Sequence, residues 1–277
     1  MQCIACNSNK FQEYSDTSYL NIPSYQCEEC NLIVTGETIN EINEAISSIY
    51  SNKFWDEQKE IFGNIDDTFS DTISQGKQRN FISQFKFSKP YFNNRKTVLE
   101  IGSGTGHTIF WLDQKGYQVT GIEPDLQNVS MINPKLKNSK ILHCFIDDFD
   151  NVEKYEIIWM SHVFEHLSEP EIFLEKIKKN MSEDSIFFLE IPNCEHPSTL
   201  KDSIFGSPHV YHFTSKSIRK LCEKHGFEII SSMVFRPASK IEGAINKLSN
   251  NKFPYYPRIE CNPTEGRDLR VLFKIKS

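Results

Sequence analysis

Three groups of residues in this 277-residue chain have the types and spacing of chemical sites. Residues 98–107 read VLEIGSGTGH, an apolar run entering a turn with glycines at 102, 104 and 106. Such a turn brings backbone N–H groups close to a nucleotide-like ligand at the start of the following helix. Cys3, Cys6, Cys27 and Cys30 form C-x2-C-x20-C-x2-C, a spacing that suits four thiolates around tetrahedral zinc. A closed site of this kind has no position for water, so its expected role is structural, compensating for a segment too small to bury its own core. Histidines make the third group: His166 in SHVFEHL, and His209 and His212 in GSPHVYHFT. Histidine titrates near neutral pH and suits proton removal in a group-transfer reaction.

These groups must be positioned by the elements around them. Residues 1–36 hold the cysteine pairs and read as a zinc-binding segment; 37–92 read as a helical lid or linker, with Ile42, Ile46, Ile49 and Phe54 in near-helical steps. A second helix is expected over roughly 74–87, broken at SKPYFNNRK. From 93 to 277 short apolar strands alternate with helices: TVLEI, QVTGI, KILHCFI, YEIIWM and SIFFLEI, then FEIISSMVF and DLRVLFKI. That alternation predicts an α/β domain with a parallel sheet buried on both faces. Residues 236–268, rich in Pro, Asn and Lys, read as an irregular insertion.

A net charge of -6 argues against a broad nucleic-acid surface. No run approaches the ~20 apolar residues of a membrane span, and MQCIACNSNK has no apolar core of a secretory signal. Cysteines in metal-ligand pairs suit a reducing cytosol, so a cytoplasmic location without a membrane partner is expected. Cys144, Cys194, Cys222 and Cys261 read as ordinary thiols.

Two ligands compete for the glycine loop. The dinucleotide fingerprint needs a third glycine where His107 stands, and Glu100 would repel a pyrophosphate while suiting a ligand with a cationic amino group. Glu123 in GIEPD, 19 residues after Gly104, can accept hydrogen bonds from both ribose hydroxyls of either ligand.

VLEIGSGTGH, GIEPD, MSHVFEHL and LEIPN together resemble class I S-adenosylmethionine-dependent methyltransferases, over about 97–235. With the paired cysteines, the chain is similar to bacterial members that carry an N-terminal zinc-binding segment and act on sugars or other small molecules. The resemblance implies a Rossmann-like seven-stranded sheet in the order 3-2-1-4-5-7-6, strand 7 being antiparallel. It implies that Glu100, Gly102, Gly104 and Gly106 form the methionine-side loop and that Glu123 holds the ribose. Asp147, or Asp148 in its place, would meet the adenine amino group, and Ser161 and His162 would line the methionine side through backbone. Tyr50 and Trp55 would form an aromatic lid, the alternative being helix packing; Arg79 is a weaker candidate for a carboxylate partner.

For the base, Glu165 and His166 look like the Glu-His pair common in this family. In similar sugar C-methyltransferases a Glu-His pair precedes an aromatic-rich stretch; here Pro208 replaces that glutamate while His209 and Phe213 keep their places. His166 and His209 rank together as candidate bases, with His212 behind. The expected acceptor is a small molecule, by resemblance a sugar nucleotide or cell-surface glycan precursor. Two other functions stay open: a nicotinamide-dependent oxidoreductase, and a non-catalytic zinc-ribbon adaptor.

Overall fold

The computed structural model describes residues 1–51, 75–237, 239–249 and 256–276. Trp55 and the side chain of Tyr50 lie outside the described residues, so the aromatic lid has no structural description.

The N-terminal segment folds as a small antiparallel ribbon of β1 (Phe11–Ser15), β2 (Ser24–Cys27) and β3 (Ile33–Thr35). It does not stand apart. Its sheet is completed by β9 (Tyr211–His212), from the far end of the chain, which pairs antiparallel with β3. Cys3, Cys27, Cys30 and Leu32 belong to the same buried cluster as Phe187, Phe213, Leu221 and Phe273 of the main domain. A segment this short cannot bury a core alone, and here it shares its neighbour's.

Helices α1 (Ile39–Ser51) and α2 (Gln75–Phe92) follow. The second was expected to stop before SKPYF, but it continues through Pro90. Proline in the last turn removes one hydrogen bond only, and Phe92, 1% exposed, anchors that turn edge-on against Trp159.

The main sheet is built from β4 (Thr97–Ile101), β5 (Gln118–Glu123), β6 (Lys140–His143), β7 (Tyr155–Ser161), β8 (Met181–Pro192), β10 (Phe227–Arg236), β11 (Arg258–Glu260) and β12 (Asp268–Ile275), in the order β11-β10-β12-β8-β7-β4-β5-β6. Strands β6, β5, β4, β7 and β8 are parallel neighbours, and β12 runs antiparallel to β8 and β10. Seven strands thus take the order 3-2-1-4-5-7-6. The eighth, β11, corrects the reading of 236–268 as irregular. That segment also holds a helix, α8 (Lys240–Leu248), signalled by Ile241, Ala244, Ile245 and Leu248 at helical spacing.

Helices α3 (His107–Gln114), α4 (Leu126–Ile132), α5 (Pro170–Ile177), α6 (Pro197–Phe205) and α7 (Ser215–Lys224) connect the strands. Thr214 and Ser217 cap α7 reciprocally, and Asp125 caps α4 by accepting from the N–H groups of Gln127 and Asn128. Phe187 and Phe273 fill one face of the sheet, Trp159 and Phe188 the other. Both faces are therefore buried, which is why the strands read as continuous apolar runs.

Candidate functional site

The ends of β4 and β5 carry the glycine loop. Gly102, Gly104 and Gly106 all adopt left-handed φ, +72°, +51° and +74°. A Cβ on Gly102 would lie 2.4 Å from Val163 Cγ2, and one on Gly106 would lie 2.6 Å from Ile132 Cδ1. Those two glycines allow the loop to pack on its own neighbours. Gly104 differs: among the described residues nothing lies within 4 Å of its Cβ position, so its lack of a side chain opens space.

Glu123, 2% exposed, sits beside that opening. Its Oε2 accepts the Gly104 N–H at 2.6 Å and its Oε1 the Asp125 N–H at 3.0 Å. Burial raises its pKa, and the two N–H groups oppose the rise. Glu100 is buried at the end of β4, with Ser103 Oγ donating to Oε2 at 3.0 Å. Burial pushes Glu100 up to about 8 against the hydroxyls of Ser103 and Thr108. Asp147 and Asp148 lie exposed in the turn after β6, alongside Phe145, itself 60% exposed. The next strand end from Glu123 therefore carries both candidate adenine partners without fixing either.

At the end of β7 the backbone turns through His162, a non-glycine residue at φ +54°. This conformation costs on the order of 1 kcal/mol and is held by its surroundings. The His162 N–H donates to the Glu190 carbonyl at 2.9 Å, while Nδ1 stands 3.4 Å from Glu165 Oε1 and Nε2 3.3 Å from Glu190 Oε1. Partial burial opposes a charge on this ring, but the two carboxylates outweigh it and raise its pKa well above the ordinary value.

Behind His162 lies a polar network that sequence reasoning missed. Glu190 on β8 and Arg270 on β12 face each other in register, both wholly buried, and Arg270 Nε donates to Glu190 Oε2. Arg270 also donates to Ser83 Oγ at 2.7 Å and Asn80 Oδ1 at 2.9 Å, tying α2 to the sheet. Gln84 Nε2 donates to Glu190 Oε1 at 2.5 Å and to Ser161 Oγ at 3.1 Å. Burial opposes the charge on Glu190, but Arg270 and His162 hold its pKa far below the carboxylate range. The signal was present: SIFFLEI carries Glu190 and DLRVLFKI carries Arg270 between apolar neighbours, and a buried charge needs a partner.

Glu165 and His166 form a short 3-10 turn after β7, and His209 comes beside them from the segment before β9. One ligating atom from each of the three lies within 4.8 Å of the others. Glu165 is 1% exposed, yet neither carboxylate oxygen has a hydrogen-bond partner among the described residues. His209 Nε2 stands 3.9 Å from its Oε1. Burial works against its charge, but His162 and His209 hold the carboxyl down at about 2. His166 Nδ1 lies 3.1 Å from the Pro208 carbonyl, an acceptor only, so Nδ1 carries the proton and Nε2 keeps the lone pair. Burial lowers the pKa of His166, and lowers His209 to about 3 together with the neighbouring His166.

His212 stands elsewhere. It is wholly buried, with Nδ1 2.7 Å from Ser203 Oγ and Nε2 3.0 Å from Thr35 Oγ1 of the ribbon. With both ring nitrogens engaged, it joins the ribbon to the domain and has no free nitrogen to serve as a base. Arg79 has partners within the protein.

The four ribbon cysteines are free thiols, Cys6 half-buried and the others buried, with their sulfurs within 4.8 Å of one another. Cys3 and Cys30 approach to 3.5 Å, as do Cys6 and Cys27. Asn7 and Asn31, each directly after a cysteine pair, turn the backbone through φ +61° and +62°. Two equivalent turns converging four soft sulfurs fit tetrahedral zinc.

Comparison with known proteins agrees with this architecture. A family model described as a methyltransferase domain matches residues 74–232. The chain is 28% identical over 102 residues to a probable (S)-tetrahydroprotoberberine N-methyltransferase 2 of Papaver bracteatum, covering 34% of this chain and 28% of that protein. It is 26% identical over 177 residues to a tRNA U34 carboxymethyltransferase of Campylobacter jejuni, 59% of each chain. The chain thus spans less than two thirds of either relative. In fold it is similar to the 1,6-didemethyltoxoflavin-N1-methyltransferase of Burkholderia thailandensis, crystallised with that compound and S-adenosylhomocysteine. The TM-score is 0.57 at 11% identity, covering 91% of this chain and 99% of that one. Among the described residues no helix is long and apolar enough to cross a membrane.

Proposed function

Because the chain belongs to the methyltransferase-domain family, we propose that it transfers the methyl group of S-adenosylmethionine to a small-molecule acceptor. The observation that carries this reading is Gly104, a left-handed position that no described residue fills and that is hydrogen-bonded to buried Glu123. A nucleoside fits there, with Glu123 toward the ribose hydroxyls and Asp147 or Asp148 toward the adenine amino group. Glu100, protonated near neutral pH by burial, would ionise beside the cationic amino group of the methionine moiety. Ser161 and His162 would close the same side. When bound, the sulfonium supplies an activated methyl group, so the protein's own residues need to align the acceptor, exclude water and take away its proton.

Proton removal falls to the cluster of Glu165, His166 and His209, at the strand ends where α/β sheets bind ligands. His212, committed to the ribbon, is outside it. The acceptor read from the resemblance is a sugar nucleotide or glycan precursor. The cysteine site is proposed to hold structural zinc; through β3 and β9 it would fix the segment that carries His209.

Calorimetry with S-adenosylhomocysteine and, separately, NAD tests the cofactor assignment. S-adenosylhomocysteine is expected to bind and NAD not. Glu123→Ala is expected to weaken binding by about 2–4 kcal/mol, the scale of lost charge-assisted hydrogen bonds. NAD binding alone, or unchanged affinity in the variant, would refute it.

A further inference from the structure

We propose that Glu165, His166 and His209 form a second metal site, for a divalent first-row transition ion that binds the acceptor. This rests on the methyl-transfer reading above and replaces a histidine base by a metal in its proton step.

Three observations converge. First, Glu165 presents two buried carboxylate oxygens that have no hydrogen-bond partner among the described residues, Oε1 having only the ring of His162 at 3.4 Å and that of His209 at 3.9 Å. An ionised carboxylate without hydrogen bonds is costly to bury, and a cation between it and its neighbours removes that cost. Second, two imidazoles stand against it, with ring centroids 4.6 Å apart and crossed at 78°, so they can direct nitrogens at one point without stacking. Two imidazoles and one carboxylate suit a first-row ion and leave coordination positions open for water or substrate.

Third, the outer hydrogen bonds fix the ligating form of His166 and are compatible with that of His209. His166 Nδ1–H donates to the Pro208 carbonyl, leaving Nε2 free. His209 Nδ1 lies 2.8 Å from Ser203 Oγ, which also lies 2.7 Å from His212 Nδ1. One consistent chain satisfies every group: His209 Nδ1–H donates to Ser203, Ser203 O–H to His212 Nδ1, and His212 Nε2–H to Thr35 Oγ1. Thr35 then donates to Ser24 Oγ at 3.0 Å. In this direction His209 Nε2 is unprotonated; the reverse direction, running from Thr35 toward His209, protonates it, and a metal on Nε2 selects the first. Metal-bound histidines are held in this way, their second nitrogen donating to a carbonyl or other acceptor. The ribbon, through Thr35, belongs to the hydrogen-bonded chain that ends on a residue in the crevice.

His162 is not included as a ligand, since its ring lies between the carboxylates of Glu165 and Glu190. A metal here would bind an acceptor hydroxyl and lower its pKa. A metal–oxygen bond forms, the O–H bond breaks, and the proton passes to water; nothing is oxidised or reduced.

The test uses the 277-residue chain carrying one zinc per chain by metal analysis, titrated with Co2+ and followed by absorption spectroscopy. The expected result is one further Co2+ per chain, with ligand-field bands of a nitrogen–oxygen site and no thiolate-to-cobalt charge transfer. Glu165→Gln and His209→Gln, which nearly preserve size, are each expected to weaken that Co2+ at least tenfold. No second Co2+, a second Co2+ with thiolate charge transfer, or affinity unchanged in both variants would overturn the site. S-adenosylhomocysteine binding to the wild-type protein is measured in parallel. If it binds and Co2+ does not, the metal site fails alone; if Co2+ binds and S-adenosylhomocysteine does not, the methyl-transfer reading fails.

Discussion

Around Gly104 the polar contacts are short in sequence: Glu100 with Ser103, three residues apart, and Gly104 with Glu123, nineteen apart. Around Glu190 and His212 they are long: Gln84 to Ser161 spans 77 residues, Gln84 to Glu190 106, Thr35 to His212 177 and Ser83 to Arg270 187. The first half of the crevice is one strand–turn–helix unit and its neighbour, a local device for a ligand common to many enzymes. The second half is assembled from α2, β7, β8, β12 and the ribbon. It therefore depends on the whole fold closing correctly, and the proposed acceptor site lies on that side.

The sharpest way to break this contrast is to remove one end of the long-range network. Arg270→Met leaves Glu190 buried without its partner and releases Ser83 and Asn80 of α2. The expected cost is about 3–5 kcal/mol in urea unfolding, the scale for breaking a buried pair from one side. Adding Glu190→Gln should return more than ~1 kcal/mol, because the uncompensated charge is gone. A single-variant cost below ~1 kcal/mol would show that the network does not hold the two halves together.

In the local half, stability and binding should separate. Gly104→Ala is expected to cost only about 1–2 kcal/mol of stability, from its left-handed backbone, while cutting S-adenosylhomocysteine affinity at least tenfold as the methyl group enters the opening. Gly102→Ala adds a clash with Val163 and should lose more stability than Gly104→Ala. Denaturation and calorimetry on both variants check this. If Gly104→Ala binds as the wild type does, the ligand does not occupy the opening.

The same contrast explains what could be read from the chain. The strand order and the antiparallel β12 follow from the family resemblance, and the glycine turn and the cysteine pairs from spacing carried within a few dozen residues. Helix α8 was hidden by its Asn- and Lys-rich flanks, and the continuation of α2 past Pro90 by the weight given to proline over the burial of Phe92. The partnership of Glu190 with Arg270 is invisible to local spacing, because strand order, not sequence distance, brings β8 beside β12. His212 reads as a candidate base from its neighbours in sequence, while its neighbour in space, Thr35, lies in the ribbon.

Protonation offers the gentlest test of that last contact. Burial, aided by His209, lowers His212 to about 3, against an ordinary value of 6.5. The folded protein therefore leaves this ring neutral between pH 6.5 and 3, where the unfolded chain protonates it. Over that window the unfolded state binds more protons, so stability rises with pH and falls on acidification. His209, also lowered to about 3, acts in the same direction. Each ring contributes at most about 1.4 kcal/mol per pH unit. Replacing His212 by Asn removes one titrating group, so the slope of unfolding free energy between pH 4 and 6 should fall by about one proton. An unchanged slope would mean that His212 titrates normally in the folded state, and that the ribbon does not hold it in the buried chain from Thr35 to Ser203.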